Sequence, residues 1–324
     1  MFDQYKRKID YLRISVTDKC NFRCVYCMPK EGVSQLCHQD ILTFEEIVTI
    51  CKCAVKLGIH KIKITGGEPL LRKDLEQLLR MIHDIEGIHQ ITMTTNGYYL
   101  EERVEALKEA GITGINISID TLDEQIFENI TRSEGLQKVI CSLRKAVSLQ
   151  IPSVKVNCVP MKQNAKELWK IAALAKKFPV HVRFIEMMPI GLGGLYRGAY
   201  QDELLGRLER IYGTATPCRE RLGNGPASYY SFSGFQGKIG FISAMSHEFC
   251  ETCNRIRITA DGYLKLCLNY NSRWNLRDFI RSGASEKQLT EYMYQAIFYK
   301  PLRHGFLELE GCEKEARKMA GIGG

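Results

Sequence analysis

Between residues 11 and 187, short apolar runs rich in β-branched residues alternate with longer stretches of helical periodicity, and no long linker interrupts them. That rhythm reads as repeated βα units. Strands are expected at 11–16, 61–65, 90–95, 114–119, 154–159 and 181–186, and covering helices at 43–57, 71–83, 100–110, 135–149 and 165–177. Thr43 is placed to cap the first helix with Glu46 three residues on, Gly111 stops the third, and Pro152 and Pro179 punctuate later connections. Parallel strands with right-handed crossovers follow. Six such units fit a doubly wound sheet or an incomplete barrel, and the pattern alone does not separate them. In either, chemistry gathers at the carboxyl ends of strands, here after Val16, Thr65, Thr95, Ile119 and Glu186.

The rhythm breaks after Pro189, so a boundary is expected between regions 1–190 and 191–324. The second region carries an expected helix at 202–212 and strands at 238–243, 255–259 and 263–268. The last two are joined by Asp261-Gly262, whose tolerance of positive φ suits a tight hairpin turn. The terminal Gly321-Ile322-Gly323-Gly324 reads, on composition, as a frayed end. No apolar run reaches about 18 residues and the first ten residues lack a secretory core, so a cytoplasmic protein is expected. Lys and Arg number 45 against 37 Asp and Glu, a net +8 that suits a polyanionic partner without choosing one.

Thirteen cysteines, six of them in two tight groups, are not laid out like a disulfide framework. Cys20, Cys24 and Cys27 form CxxxCxxC directly after the first strand. Three thiolates are one short of a closed site, so a four-iron cluster would keep one iron open to a small chelating molecule; zinc completed by His38 is the alternative. Tyr26 inside this loop can pack on an adenine or cover the cluster. Cys250, Cys253 and Cys267 form a second triad, CxxC and a third thiol on the returning hairpin strand, with His247 the fourth ligand of a competing zinc site. Arg255 and Arg257 alternate along one strand, so both forks point one way, either to hold a phosphate chain or as a salt-bridged face. Cys141 and Cys158 read as buried small hydrophobes, and Cys37, Cys51 and Cys53 as incidental or a further metal site.

The CxxxCxxC loop together with Thr65-Gly66-Gly67-Glu68-Pro69 resembles the radical S-adenosylmethionine superfamily, and Thr94-Thr95-Asn96-Gly97 and Ser118-Ile119-Asp120 end the next two strands in the matching order. Longer stretches are more specific. LRISVTDKCNFRCVYCMP at 12–29, KITGGEPLLRKDL at 63–75, RFIEMMP at 183–189, GFISAMSHEFCETCNRIRITADG at 240–262 and the final Gly323-Gly324 resemble the GTP 3′,8-cyclase family of molybdenum cofactor biosynthesis nearly end to end.

The resemblance implies an α/β fold, an incomplete (β/α)6 TIM-type barrel with a small C-terminal region holding a β-hairpin and a second iron–sulfur site. It implies two [4Fe-4S] clusters, one on Cys20, Cys24 and Cys27 and one on Cys250, Cys253 and Cys267, with S-adenosylmethionine at the first and the guanine of GTP at the second. Tyr26, Gly66, Gly67, Glu68, Ser118 and Met188 match S-adenosylmethionine contacts. Arg13, Lys63, Thr94, Lys155, Arg183, Arg255, Ile256 and Arg257 match substrate contacts. The family's glycine tail threads into the active site, so Gly323 and Gly324 join Arg255 and Arg257 as expected catalytic residues and the frayed-end reading gives way.

The implied chemistry is hydrogen abstraction from C3′ of GTP by a 5′-deoxyadenosyl radical, then bonding of C3′ to C8. Implied partners are GTP, a reducing electron donor and a downstream cyclic pyranopterin monophosphate synthase, with no nucleic acid or membrane and a homodimer left open. Lys63 departs from the family's usual arginine, placing a point charge where a fork stood. Competing readings are another two-cluster radical enzyme, such as a peptide maturase, and a noncatalytic metal-containing module that binds RNA.

Overall fold

The computed structural model describes residues 1–196, 198–220, 222–306, 315 and 317–323. Its first half runs β1 (Tyr11–Ser15), α1 (Phe44–Lys56), β2 (Lys61–Thr65), α2 (Leu75–His83), β3 (Gln90–Thr95), α3 (Leu100–Glu109), β4 (Gly114–Ser118), α4 (Glu124–Thr131), α5 (Leu136–Ser148), β5 (Val154–Cys158), α6 (Leu168–Lys177) and β6 (His181–Ile185). The second region adds α7 (Gln201–Tyr212), β7 (Thr216–Cys218), β8 (Ser228–Ser231), β9 (Ile239–Ile242), β10 (Arg255–Ile258), β11 (Leu264–Lys265), α8 (Leu276–Arg281), α9 (Glu286–Phe298) and α10 (Met319–Ile322).

Among the described residues one sheet of 11 strands has the order β11-β10-β1-β2-β3-β4-β5-β6-β9-β8-β7. A doubly wound sheet reverses its order at a switch point; β1 to β6 run without reversal, which is the arrangement of an incomplete barrel. The later region extends this sheet at both ends, β10 pairing parallel with β1 and β9 parallel with β6. Antiparallel β11 and the β8–β7 pair form the outer edges.

Strand residues alternate between two environments, as a period of two requires. Leu12, Ile14, Ile62, Ile64, Ile91, Met93, Ile115, Ile117, Val156, Val182, Ile256 and Ile258 are buried in the core shared with the helices. The opposite face carries Arg13, Lys63, Thr94, Asn116, Lys155, Arg183 and Arg257. Apolar packing therefore lies outside the strands, and the concave side is polar.

The capping box of α1 forms as the spacing predicts, Thr43 Oγ1 accepting from Glu46 N at 3.2 Å and Glu46 Oε2 from Thr43 N at 2.8 Å. Gly111 ends α3 with φ +93°. The sequence reading did not expect β7, β8, α8 or α9, and other details differ as well. The stretch after Pro69 opens with a 3-10 turn before α2 starts at Leu75. α4, capped by Asp123 accepting from Ile126 N, occupies a segment not expected to be helical. α6 begins at Leu168 because Asn164 holds the chain in a turn first. At the β10–β11 hairpin only Gly262 adopts a positive φ, at +89°, and β11 is two residues long, so Cys267 lies just past the strand rather than on it.

Asn164 is fully buried and joins the exits of β4 and β5: its Nδ2 donates to Asp120 O (2.8 Å) and Val159 O (3.0 Å), and its Oδ1 accepts from Met161 N (2.7 Å). Asn164→Ala strands these main-chain groups and is expected to cost about 1–3 kcal/mol for each group left unsatisfied, read as a lower urea midpoint.

Candidate active site

Three strand-end loops are tied to one another at the carboxyl end of the sheet. Gly67 N donates to Thr17 O at 2.8 Å and Glu68 N to Lys19 O at 2.7 Å, which clasps the loop after β2 onto the loop that carries Cys20. A Cβ at Gly67 would stand 2.4 Å from Lys19 O, and one at Gly66 2.7 Å from Thr17 O, so the clasp requires glycine. Glu68 is fully buried and accepts from Leu70 N (3.0 Å), Thr95 Oγ1 (2.7 Å) and Asn96 N (2.7 Å), fastening the β3 exit to the same place; burial pushes its carboxyl up to about 7. Asn96 reaches back to Asn21 Oδ1 at 2.8 Å and to Cys20 Sγ at 3.9 Å.

Tyr26 donates its hydroxyl to Asp120 Oδ2 at 2.8 Å, and Asp120 Oδ1 accepts from Val159 N at 2.7 Å, which links the cysteine loop to the exits of β4 and β5. Burial pushes the Asp120 carboxyl up to about 6. It also pushes the Cys20 thiol up to about 11, and the Cys24 thiol well above its ordinary value, where the charges of Cys27, Asp120 and Cys20 add to burial. A cationic centre beside Cys20 and Cys24 would favour their thiolate forms against this upward push. Ser118 ends β4 on the concave face, in register with Asn157. Met188 follows β6 and its carbonyl accepts from Ile190 N at 2.8 Å.

Below these loops the concave face collects cations from β1, β2, β5, β6 and β10. Arg13 stands in register with Lys63 on one side and Arg257 on the other. Burial, then the charges of Arg13, Arg183 and Lys155, holds the Lys63 ammonium well below its ordinary range. Burial and the charges of Arg13 and Arg255 do the same to Arg257. Burial and Arg183 bring Lys155 down to about 7. Among the described residues, no carboxylate forms an ion pair with Lys63, Lys155, Arg183 or Arg257. Arg183 instead donates through Nε and Nη2 to Asn157 Oδ1 at 2.9 and 2.6 Å. Thr94 Oγ1 accepts from Asn116 Nδ2 at 3.2 Å on the same face. Ile256 is the exception among the expected substrate contacts: its side chain is fully buried in the helix-facing core, leaving only its main chain on the site.

The second cysteine triad lies beside this cationic face, since β10 follows Cys253 directly. Burial opposes ionisation of the Cys253 thiol, yet Lys300 and Arg255 outweigh it and bring the thiol down to about 6. Cys250 feels the charges of both Cys267 and Cys253. Arg255 approaches Cys253 Sγ at 4.0 Å and stacks over Phe249.

Neither zinc alternative is supported by the geometry. His38 and His247 are exposed, and among the described residues the one group of three ligand atoms within 4.8 Å of one another is Glu248, Cys250 and His304. A single tetrahedral zinc ion would draw three thiolates closer than that, whereas a cubane holds them farther apart. Both triads are therefore more open than a single zinc ion requires, and a donor set of three thiols suits a [4Fe-4S] cluster with an iron left for an outside ligand.

The tail enters from the same side. Lys265 and Glu315 form a buried ion pair, Arg317 donates to Asp261 Oδ1 at 3.1 Å, and Ile322 is fully buried. Arg257 Nη1 then donates to Gly323 O at 3.0 Å, and a Cβ at Gly323 would meet Ser15 Cβ at 2.8 Å. Gly323 thus lies against the ends of β1 and β2, beside the cations; Gly324 lies outside the described residues. Sequence reasoning did not single out Arg7, Lys300 or Asn157, whose neighbours are distant in the chain. Gly67→Ala is expected to displace the first cysteine loop and lower iron from about eight to about four per chain, measured on anaerobically reconstituted protein.

The radical SAM superfamily model matches residues 14–175, and the model described as Molybdenum Cofactor Synthesis C matches residues 180–306. A Streptococcus suis SuiB crystal structure with bound S-adenosylmethionine superposes with TM-score 0.62 at 16% identity, covering 93% of this chain and 68% of that one, a likeness of fold. The GTP 3′,8-cyclase of Clostridium perfringens is 42% identical over 325 residues, and that of Pelotomaculum thermopropionicum 43% identical over 328, each alignment covering 100% of both chains. With the two cysteine triads, the cationic face and the glycine tail in the places described, the chain belongs to the GTP 3′,8-cyclase family of radical S-adenosylmethionine enzymes.

Proposed function

We propose that this chain converts GTP to (8S)-3′,8-cyclo-7,8-dihydroguanosine 5′-triphosphate, the cyclisation that opens molybdenum cofactor biosynthesis. The observation that carries this reading is the set of unneutralised cations between the two open thiol triads. A nucleoside triphosphate is the ligand such a face selects, because its phosphates bring negative charge to Lys63, Lys155, Arg183 and Arg257, which form no ion pair with a carboxylate among the described residues. The first cluster, when reduced, supplies the electron that cleaves S-adenosylmethionine to the hydrogen-abstracting 5′-deoxyadenosyl radical.

The chain's residues bind, orient and exclude. Cys20, Cys24 and Cys27 hold the first cluster, while Tyr26, Gly66, Gly67, Glu68, Ser118 and Met188 form the S-adenosylmethionine side of the cavity. Of these, Tyr26 and Glu68 act by fixing the loops through Asp120, Thr95 and Asn96. Cys250, Cys253 and Cys267 hold the second cluster for the guanine. Arg13, Lys63, Lys155, Arg183, Arg255 and Arg257 take the triphosphate, with Thr94 and the Ile256 main chain beside them. Their fixed geometry sets which ribose hydrogen faces the radical. Gly323, held by Arg257, closes the cavity near the reacting ribose, and Gly324 is expected to act with it. Residues 1–190 would thus form the radical S-adenosylmethionine partial barrel and supply part of the triphosphate site, and 191–324 would add the second cluster, the rest of the substrate site and the closing tail.

An external one-electron donor and a cyclic pyranopterin monophosphate synthase that consumes the product complete the expected partners, in a reducing cytoplasm, with a homodimer still to be tested. No helix among the described residues is long and apolar enough to cross a membrane.

Anaerobic incubation with reductant, S-adenosylmethionine and GTP should yield 5′-deoxyadenosine and the cyclised nucleotide. Gly323→Ala should still release 5′-deoxyadenosine while losing most of the cyclised product. Deoxyadenosine without any cyclised nucleotide from the unaltered chain would sink the assignment of GTP.

Lys155 gives the reaction a pH signature. Its amine titrates near pH 7 in the free protein, and a bound triphosphate raises it. Above pH 7 binding therefore takes up a proton, and affinity falls with rising pH by up to about tenfold per unit until the bound form also titrates. Calorimetry of GTP binding at pH 8 in buffers of different ionisation enthalpy should show this uptake, and Lys155→Met should reduce it.

A further inference from the structure

Arg7 is buried, and its guanidinium serves the second cysteine site from the far end of the chain. Paired with Asp3 at 2.6 Å, it donates through Nη1 to Cys250 O at 2.9 Å and Leu302 O at 2.7 Å. Through Nη2 it donates to Pro301 O at 2.7 Å and Lys300 O at 3.3 Å. One planar fork thus fixes a cluster-bearing loop and the main chain of Lys300 in a single geometry. The Lys300 side chain, 2% exposed, runs inward and donates to Leu266 O, the carbonyl next to Cys267. Its charge also reaches Cys253. Among the described residues no carboxylate pairs with it.

We propose that Lys300, locked in place by Arg7, is the resident counter-charge of the second iron–sulfur site and sets the electron affinity of the cluster held there. Three thiolates on a cubane carry net negative charge, which grows by one unit on reduction. A buried ammonium fixed against the carbonyl next to Cys267 stabilises the reduced form more than the oxidised one, and in a dry site that preference is large. GTP brings its triphosphate to the strand face beside the same cluster, so the lysine also lowers the repulsion between the cluster and that charge. The inference rests on the two-cluster reading, and unaltered protein that binds only about four irons would end that reading first.

The test compares Lys300→Met, Lys300→Gln and Lys300→Arg in the reconstituted full chain, using iron content and potentiometric EPR, with the first cluster as internal control. The second cluster's midpoint should fall in both neutral variants by at least about 59 mV, a tenfold change in its one-electron equilibrium, while the first stays put. GTP affinity should fall with it, and Lys300→Arg should restore both. Loss of the second cluster from the neutral variants but not from Lys300→Arg would support the same role. Unchanged midpoints would overturn the proposal. So would a normal midpoint in Lys300→Gln, which keeps a donor without the charge, or equal loss of the cluster from all three variants.

Discussion

Repulsion among like charges organises this protein. Arg13, Lys63, Lys155, Arg183, Arg255 and Arg257 come from five strands of one sheet, and among the described residues no carboxylate forms an ion pair with Lys63, Lys155, Arg183 or Arg257. Such an arrangement is unfavourable for the empty chain and has to be offset elsewhere. The offset is the apolar layer on the opposite side of the same strands, where Leu12, Ile62, Ile91, Ile115, Val156 and Val182 are almost completely buried against the helices. Stability and binding are thus divided between the two faces of one sheet.

Much of this was legible in advance because it follows local rules. A period of two put Arg255 and Arg257 on one face, and the capping box at Thr43 and Glu46 declared the start of α1. The cysteine triads are local as well. The strand pattern could not choose between a barrel and a doubly wound sheet, since strand order is a property of crossovers and not of any segment.

What escaped the sequence depends on long-range partners. Nothing near Arg7 foretells its bonds to Cys250 and to residues 300–302, and nothing near Lys300 foretells Leu266. α4 and α9 were missed for a different reason. Asp123 with Ile126, and Ser285 with Gln288, are readable caps, but α4 is only 8 residues long and the buried residues of α9 are interleaved with polar ones. The expected β11 was too long because the run from Tyr263 to Leu268 is apolar enough for a strand, while its later residues bend away to carry Cys267 around the second site.

The seam between β1 and β10 has a consequence for biogenesis. β1 leaves the ribosome among the first strands, yet its parallel neighbour Arg255–Ile258 is translated near the end. Through most of synthesis, one edge of the nascent sheet therefore stays unpaired, the kind of exposed template on which strands of neighbouring chains add. The slow step in maturing this enzyme is expected to be that late annealing, and crowding or a lack of chaperones should harm yield through it before harming the finished catalyst.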